Sequence, residues 1–339
     1  MDIEKLKSAV SRFSEMKVLV AGDIVLDEFM YTEIDRISRE APVFICRYEN
    51  SERFPGCAGN TAMNVLSLGA KPYPAGIVGR DEDGTHIADR FWNSGMDLRC
   101  LQKSRRVHTM KKTRILAGGV HRAKQHMLRV DRESEIHRFQ LLRVARTVLD
   151  EVDAVIISDY GYNTVTPFNT ERLIPEAMER GIPVFVDSRY RVTAFKHAEA
   201  ITPNEEEAAA ALGKPIPENG EDLLEALETL TRWADCRLTL LTRGSKGMVV
   251  HQKGDKSYTT FPIYGSPEPV DVSGAGDSVM AAFALALAYR LAPKEAALLA
   301  TISGGISVMQ KGTYAVTQIE LQEALNAENL PKGTTFSFD

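Results

Sequence analysis

Short apolar runs rich in β-branched residues alternate with helix-patterned stretches along almost the whole chain, and this rhythm constrains the fold more than any other feature. The runs lie at 18–21, 74–78, 154–158, 183–187 and 238–242, with helical patterns between them at 60–68, 85–93, 136–149 and 221–234. Strands joined through helices pair in parallel, because a parallel neighbour needs a long crossover, and the crossovers then cover both sheet faces. The expected fold is α/β, a central, mostly parallel sheet flanked by helices. Two segments break the rhythm. Residues 28–50 carry extended patterns at 28–32 and 43–48, and residues 105–131 carry two more at 107–116 and 123–130, joined at Gly118-Gly119. Four inserted strands read as a small sheet standing off the main one. The expectation is one domain over 1–339, with a lid formed by 28–50 and 105–131.

Composition excludes more than it assigns. Of 339 residues 44 % are apolar and 26 % charged, and the formal net charge of −5 favours neither nucleic acid nor an anionic membrane as partner. The longest apolar stretch, 279–289, falls short of the ~20 residues that span a bilayer and reads as a buried helix. Residues 1–17 are mixed and charged, and the apolar run after them is too short for a secretory signal, so a cytoplasmic location is expected. Cys46, Cys57, Cys100 and Cys236 form no CxxC pair and read as reduced core thiols. His121 and His126, five apart among basic residues, match no metal-ligand pattern.

The sharpest local signal is Asp271-Val272-Ser273-Gly274-Ala275-Gly276-Asp277, followed at once by an apolar helical stretch. A glycine-rich turn entering a helix aims several backbone N–H groups and the positive end of the helix dipole at one spot, which suits phosphate oxygens. A carboxylate in the first turn then stands beside the bound phosphate. Asp277 could take the proton of an attacking hydroxyl while Gly274, Ala275 and Gly276 stabilise the transferring phosphoryl group; alternatively, Asp277 caps the helix. No GxxxxGK[ST] occurs, and Gly274-Ala275-Gly276 continues to Val279 where a GxGxxG would need glycine. Thr202-Pro203-Asn204-Glu205-Glu206-Glu207 puts Asn204 and Glu207 on one helix face, able to hold waters on a Mg²⁺ or simply to cap an acidic first turn. Thr242-Arg243-Gly244-Ser245-Lys246-Gly247 reads as a loop passing close to a ligand or as a plain hairpin turn.

Taken in order, these stretches resemble the ribokinase, or PfkB-type, carbohydrate kinase family over roughly residues 17–316. Gly22-Asp23 with Asp27 resembles the sugar-binding start of those enzymes, and Pro55-Gly56-Cys57-Ala58-Gly59-Asn60, leading to Leu68-Gly69, resembles their glycine-rich sugar signature. The resemblance implies an ATP-dependent sugar kinase with Mg²⁺ and K⁺ as accompanying ions. It implies Asp277 as catalytic base, and Asp23, Asp27, Gly56 and Asn60 at the sugar. Asn204, Thr242, Gly244, Gly247 and Ser303 would contact ATP, Glu207 would reach Mg²⁺ through water, and Asp271 with the Ser273 carbonyl would hold the monovalent ion.

Within the family, Ile37-Ser38-Arg39-Glu40-Ala41-Pro42-Val43, Asn60-Thr61-Ala62-Met63-Asn64 and Ser158-Asp159-Tyr160 look like the heptose 7-phosphate kinases of lipopolysaccharide precursor synthesis. Those enzymes phosphorylate an anomeric hydroxyl, and many carry a fused nucleotidyltransferase domain whose HxGH signature has no counterpart here, so the kinase alone is expected. Cys57 replaces the second glycine of the family's pair, with Gly59 expected to supply the lost freedom. A lysine usual in the subgroup is replaced near Tyr162, its Asp-Pro-Lys is Asp187-Ser188-Arg189, and Ser303 stands where an asparagine is common.

Residues 103–132 contain ten Lys or Arg against one acid, Asp131. Such a lid would clamp an anionic sugar phosphate, with Lys112 and Arg114 at the substrate, or else be a solvated face with basic residues guarding its edges. The alternatives in substrate are fructose 6-phosphate, ribose, a nucleoside or a ketosugar acid; outside catalysis, the alternative is a sugar or nucleotide sensor. Phe29, Tyr31, Phe44, Ile115 and Leu116 on the outer lid face would join two chains as a homodimer.

Overall fold

The computed structural model describes residues 2–119, 124–136 and 139–338. His121, Arg122, the start of the expected strand 123–130 and two positions of the expected helix 136–149 lie outside them. In chain order the strands are β1 (Lys17–Gly22), β2 (Ile24–Ile37), β3 (Phe44–Cys57), β4 (Lys71–Gly79), β5 (Leu101–Ser104), β6 (Met110–Gly118) and β7 (Gln125–Arg132). There follow β8 (Ala154–Asp159), β9 (Val184–Ser188), β10 (Ala200–Ile201), β11 (Leu238–Thr242), β12 (Met248–Gln252), β13 (Ser257–Phe261) and β14 (Thr334–Ser337).

Ten strands form the main sheet in the order β14-β13-β12-β11-β10-β9-β8-β1-β4-β5. Pairing is parallel from β5 to β11, whereas β11 to β14 run antiparallel as an edge extension that begins at the Thr242–Gly247 hairpin. The central strands are apolar on both faces. In β1, Val18 and Val20 point into one core with helices Ala58–Ser67, Ala275–Ala288 and Pro293–Val308, while Leu19 and Ala21 point into the other with Leu173–Glu179 and Gly220–Ala234. Continuous apolar strands of this kind require helices on both sides. Helix Ala275–Ala288 is buried without interruption from Asp277 to Leu287, which explains its lack of a polar face. Among the described residues no helix is long and apolar enough to cross a membrane.

The second sheet has the order β3-β2-β6-β7, with β2 parallel to β6 and the outer pairs antiparallel. Its strands outrun the expected ones: β2 begins one residue after β1, and β3 returns directly into helix Ala58–Ser67. The expected outer apolar face needs correction. Phe29 is buried, under the Arg114 guanidinium and edge-on to Phe54, and Tyr31, Ile115 and Leu116 are half-buried. Of those five only Phe44 is exposed, and it is joined by Ile37, Val43, Tyr48, Met127, Leu128 and Val130. The expected helix 136–149 reduces to Leu141–Ala145 and a 3-10 turn at Leu149–Glu151. The Thr147 hydroxyl donates to the Val144 carbonyl at 2.7 Å, a local bond that competes with continuing the helix.

Candidate active site

In open α/β sheets, ligands sit outside the carboxyl ends of the strands where strand order reverses. Here the chain adds β4 and β5 on one side of β1, then β8 to β11 on the other. The segments leaving β8 (Tyr160), β9 (Arg189 and Tyr190), β10 (Thr202 and Asn204) and β11 (its last residue, Thr242) line one cavity of about 670 Å³. The second sheet contributes Asp27, Lys112, Arg114 and Arg129, and the turn at Ser273, Gly274, Gly276 and Asp277 completes the lining. A second cavity, about 240 Å³, shares Thr242, Val272, Gly276 and Val279 with the first, and is otherwise lined by groups such as Gly244, Gly247, Met248, Ile263, Ala275 and Gly304. A chamber crowded with ionisable groups thus opens into a largely apolar one across Gly276.

Asp277 lies in the first turn of helix Ala275–Ala288, but it does not cap it. The N-cap is Gly274, without a side-chain cap bond. The Asp277 carboxylate instead accepts from Asn60 Nδ2 at 2.7 Å, Thr61 Oγ1 at 2.6 Å and Tyr160 Oη at 3.4 Å. Two of these donors come from helix Ala58–Ser67 and one from the end of β8. Burial pushes its carboxyl up to about 6, against the hydrogen bonds from Thr61 and Asn60, which favour the charged form. Three donors leave carboxylate lone pairs unused, and Asp277 lines the cavity. Gly274 is required where it is: its φ is +79°, and a Cβ there would come within 2.6 Å of Asn60 Nδ2.

The six expected sugar residues divide into two groups. Asp27, Lys112 and Arg114 line the cavity; Asp27 is paired with Arg114. The Lys112 ammonium is buried 5.2 and 5.5 Å from the ring centroids of Tyr160 and Tyr162, with the Cys57 thiol at 3.4 Å and no carboxylate in salt-bridge range among the described residues. Tyr162, at the subgroup's usual lysine position, therefore lies beneath a lysine brought by β6. Asp23, Gly56 and Asn60 stand behind the wall. Asp23 is fully buried, and its carboxylate accepts from the backbone N–H groups of Tyr160, Tyr162 and Thr164 at 2.9, 3.1 and 3.0 Å. It therefore shapes the loop beneath Lys112 and stands outside the cavity lining. A Cβ on Gly56 would meet Asp27 Oδ2 at 1.9 Å, so that glycine admits the Asp27 carboxylate. Cys57 itself takes the glycine-like backbone, at φ +55°, whereas Gly59 is helical, contrary to the expected transfer of freedom.

On the nucleotide side, Asn204 and Glu207 form a reciprocal capping box, with bonds of 2.8 and 3.0 Å. Both also line the larger cavity beside Asp187. Burial, joined by the Glu207, Asp277 and Asp159 charges, holds the Asp187 carboxyl well above its ordinary range. Burial likewise raises Glu207. Thr242, Gly244 and Gly247 line the smaller cavity at a 3-10 turn joining antiparallel β11 and β12, so the stretch is a hairpin turn that borders a cavity. Ser303 is fully buried and outside the lining: its hydroxyl donates to the Ser278 carbonyl at 3.2 Å, whereas Thr301, Gly304 and Gly305 line the smaller cavity. Asp271 accepts from the Ser273 and Gly312 N–H groups at 2.9 and 3.0 Å. Nearby, the buried Thr313 hydroxyl has no hydrogen-bond partner.

Part of the basic run is neutralised by acids. Lys111 pairs with Glu28 and Asp83, Arg132 with Asp83, Lys124 with Glu49, and Arg129 with Asp131. Of its members, Lys112, Arg114 and Arg129 reach the main cavity. Sequence reasoning missed Thr61, Tyr160 and Asp187 as site residues, although all three fall within stretches singled out by resemblance.

Residues 18–320 match the pfkB family carbohydrate kinase model. The chain is 34 % identical over 336 residues to the bifunctional protein HldE of Trichlorobacter lovleyi, covering 97 % of this chain and 67 % of that protein. It is 37 % identical over 328 residues to the bifunctional protein HldE of a Caulobacter species, covering 94 % and 64 %. The chain thus spans about two thirds of the length of these relatives. A solved structure of Arabidopsis thaliana ribokinase complexed with ribose and ATP superposes with a TM-score of 0.73 at 18 % identity, covering 92 % of this chain and 99 % of that one. With a carboxylate facing a two-chambered cleft and the family model matched over most of its length, the chain belongs to the pfkB family of carbohydrate kinases and is an ATP-dependent sugar kinase.

Proposed function

We propose that the chain transfers the γ-phosphoryl group of ATP to the anomeric hydroxyl of a heptose 7-phosphate, a step towards the nucleotide-activated heptose of lipopolysaccharide precursors. The observation that carries the reading is the Asp277 carboxylate, held by Asn60, Thr61 and Tyr160 and facing the cavity at the start of helix Ala275–Ala288. The sugar hydroxyl oxygen attacks the γ-phosphorus as its proton passes to Asp277, and the bond from that phosphorus to the bridging oxygen of ADP breaks. The backbone N–H groups at Gly274, Ala275 and Gly276 hold the charge carried by the transferring group. Adenine fits the smaller, apolar cavity lined by Gly244, Gly247 and Gly304. Asp27 serves as acceptor for sugar hydroxyls. Lys112, buried without a carboxylate, supports an anionic sugar, because a charge-assisted bond to phosphate would complete its shell.

The acids Asp187 and Glu207, which burial above all holds above the ordinary range, fit a Mg²⁺ held through water by Glu207 and Asn204; Mg²⁺ supplies charge neutralisation on the ATP phosphates. The unpartnered Thr313 hydroxyl beside Asp271 and Ser273 fits K⁺ next to the anion loop. Because ATP is a substrate, the cytoplasm is the site of action. Exposed Ile37, Phe44, Tyr48, Leu128 and Val130 on the lid support a homodimer through the lid strands.

The test is ADP release with ATP and a panel of heptose 7-phosphate, heptose, fructose 6-phosphate and ribose. The expected result is a preference for heptose 7-phosphate over heptose of well over tenfold in kcat/KM; equal rates, indifferent to ionic strength, would refute the phosphorylated substrate.

A further inference from the structure

The first three basic residues of the 103–132 run never reach the sugar cavity. Lys103, Arg105 and Arg106, together with Arg80, line a separate surface cavity of about 700 Å³, floored by Ile77, Val107 and Ile136. None of these four side chains has a carboxylate within salt-bridge distance or a hydrogen-bond partner among the described residues, whereas Lys111, Arg114, Lys124, Arg129 and Arg132 are all ion-paired. Glu135 is the one acid in the lining. Four cations left unpaired around one concavity repel one another, and the arrangement is relieved by a multivalent anion. The cavity matches the catalytic chamber in size, so it has room for more than a single ion.

Its position ties it to the lid. Strand β5 is the outer edge of the main sheet and pairs only with β4. The segment leaving it carries Arg105 and Arg106 and is anchored at Thr109, whose N–H and hydroxyl donate to Asp81 at 2.8 and 2.6 Å and whose hydroxyl accepts from Gly79 N–H at 2.9 Å. The next residue begins β6, which brings Lys112 and Arg114 to the sugar.

We propose that this cavity is a second binding site, for a small molecule bearing two or more phosphate groups. An anion drawing Arg105 and Arg106 towards Arg80 and Lys103 pulls on the segment that enters the substrate-binding strand, so occupancy alters the apparent KM for the sugar. The site is independent of which sugar is phosphorylated.

Pyrophosphate is the probe, titrated calorimetrically into the full chain pre-saturated with Mg·ADP. Wild-type protein and Lys112→Met should both bind it at this site, whereas the triple variant R80A/R105A/R106A should bind it at least about tenfold more weakly, the usual effect of losing a charge-assisted contact. Without pyrophosphate, kcat and KM of the triple variant should stay within about twofold of wild type, which also certifies its fold; R105S/R106S is the milder check. Unchanged pyrophosphate affinity in the triple variant overturns the site. Loss of pyrophosphate binding in Lys112→Met alone overturns it too, by assigning the anion to the sugar cavity. Tight capture of a DNA 20-mer that depends on the same arginines overturns the small-molecule assignment in favour of nucleic acid.

Discussion

The end of β1 and the first turn of helix Ala275–Ala288 each bury an aspartate, and in both burial pushes the carboxyl upward. Their surroundings differ. Asp23 is closed off by three backbone N–H donors from a single loop and lines neither chamber. Asp277 is held by three side chains drawn from two elements and faces the larger chamber. Burial therefore does not by itself distinguish a carboxylate that faces the cavity from one that does not. Backbone donors fold a loop around Asp23, whereas side-chain donors orient Asp277 and leave it capacity to accept one more proton.

The comparison is broken most easily by exchanging each carboxylate for an amide. Asp277→Asn should keep ATP binding while kcat falls by roughly 10²–10⁴, the usual worth of a general base. Asp23→Asn should retain kcat within about tenfold yet lower the unfolding free energy measured in urea by about 1–3 kcal/mol, since its amide N–H₂ would face backbone donors. Equal losses of kcat in the two variants would erase the distinction. Next in size, Lys112→Met should cost more than tenfold in kcat/KM for a sugar phosphate and much less for the unphosphorylated sugar, matching one charge-assisted contact. Removing a donor sharpens the comparison further: Thr61→Val should raise the midpoint of the pH–rate profile by about one unit, because the Thr61 bond favours the charged carboxylate.

The smallest effect concerns stability. Between the ordinary value of 3.8 and about 6 the folded chain keeps the Asp277 proton that the unfolded chain has released. Stability therefore falls as pH rises through that window and stays reduced above it. Asp277→Asn removes the loss, so thermal melting should show it stabilised above pH 6, by at most about 3 kcal/mol, and no different from wild type below pH 3.8.

What could be read from sequence was what is local. The parallel strands announced themselves through uninterrupted apolar runs such as 18–21, and the anion turn through glycines beside Asp277, because both patterns are complete within a few residues. The donors to Asp277 stand 117 to 217 positions away, beyond any spacing argument. The ion pairs of the basic run were illegible for the same reason: Glu28, Glu49 and Asp83, which neutralise Lys111, Lys124 and Arg132, are neighbours only after the second sheet has formed. Asp23 matches a sugar-binding pattern by position, but the donors that surround it come from a loop more than 130 residues later.

The most direct test of Asp277 as the base is the pH dependence of kcat/KM in the wild-type enzyme and in Asp277→Asn. The wild type should lose activity as pH falls through about 6, as the carboxylate takes up its proton, and the variant's residual activity should show no such step. A wild-type midpoint near 4, or the same step persisting in Asp277→Asn, would contradict the assignment.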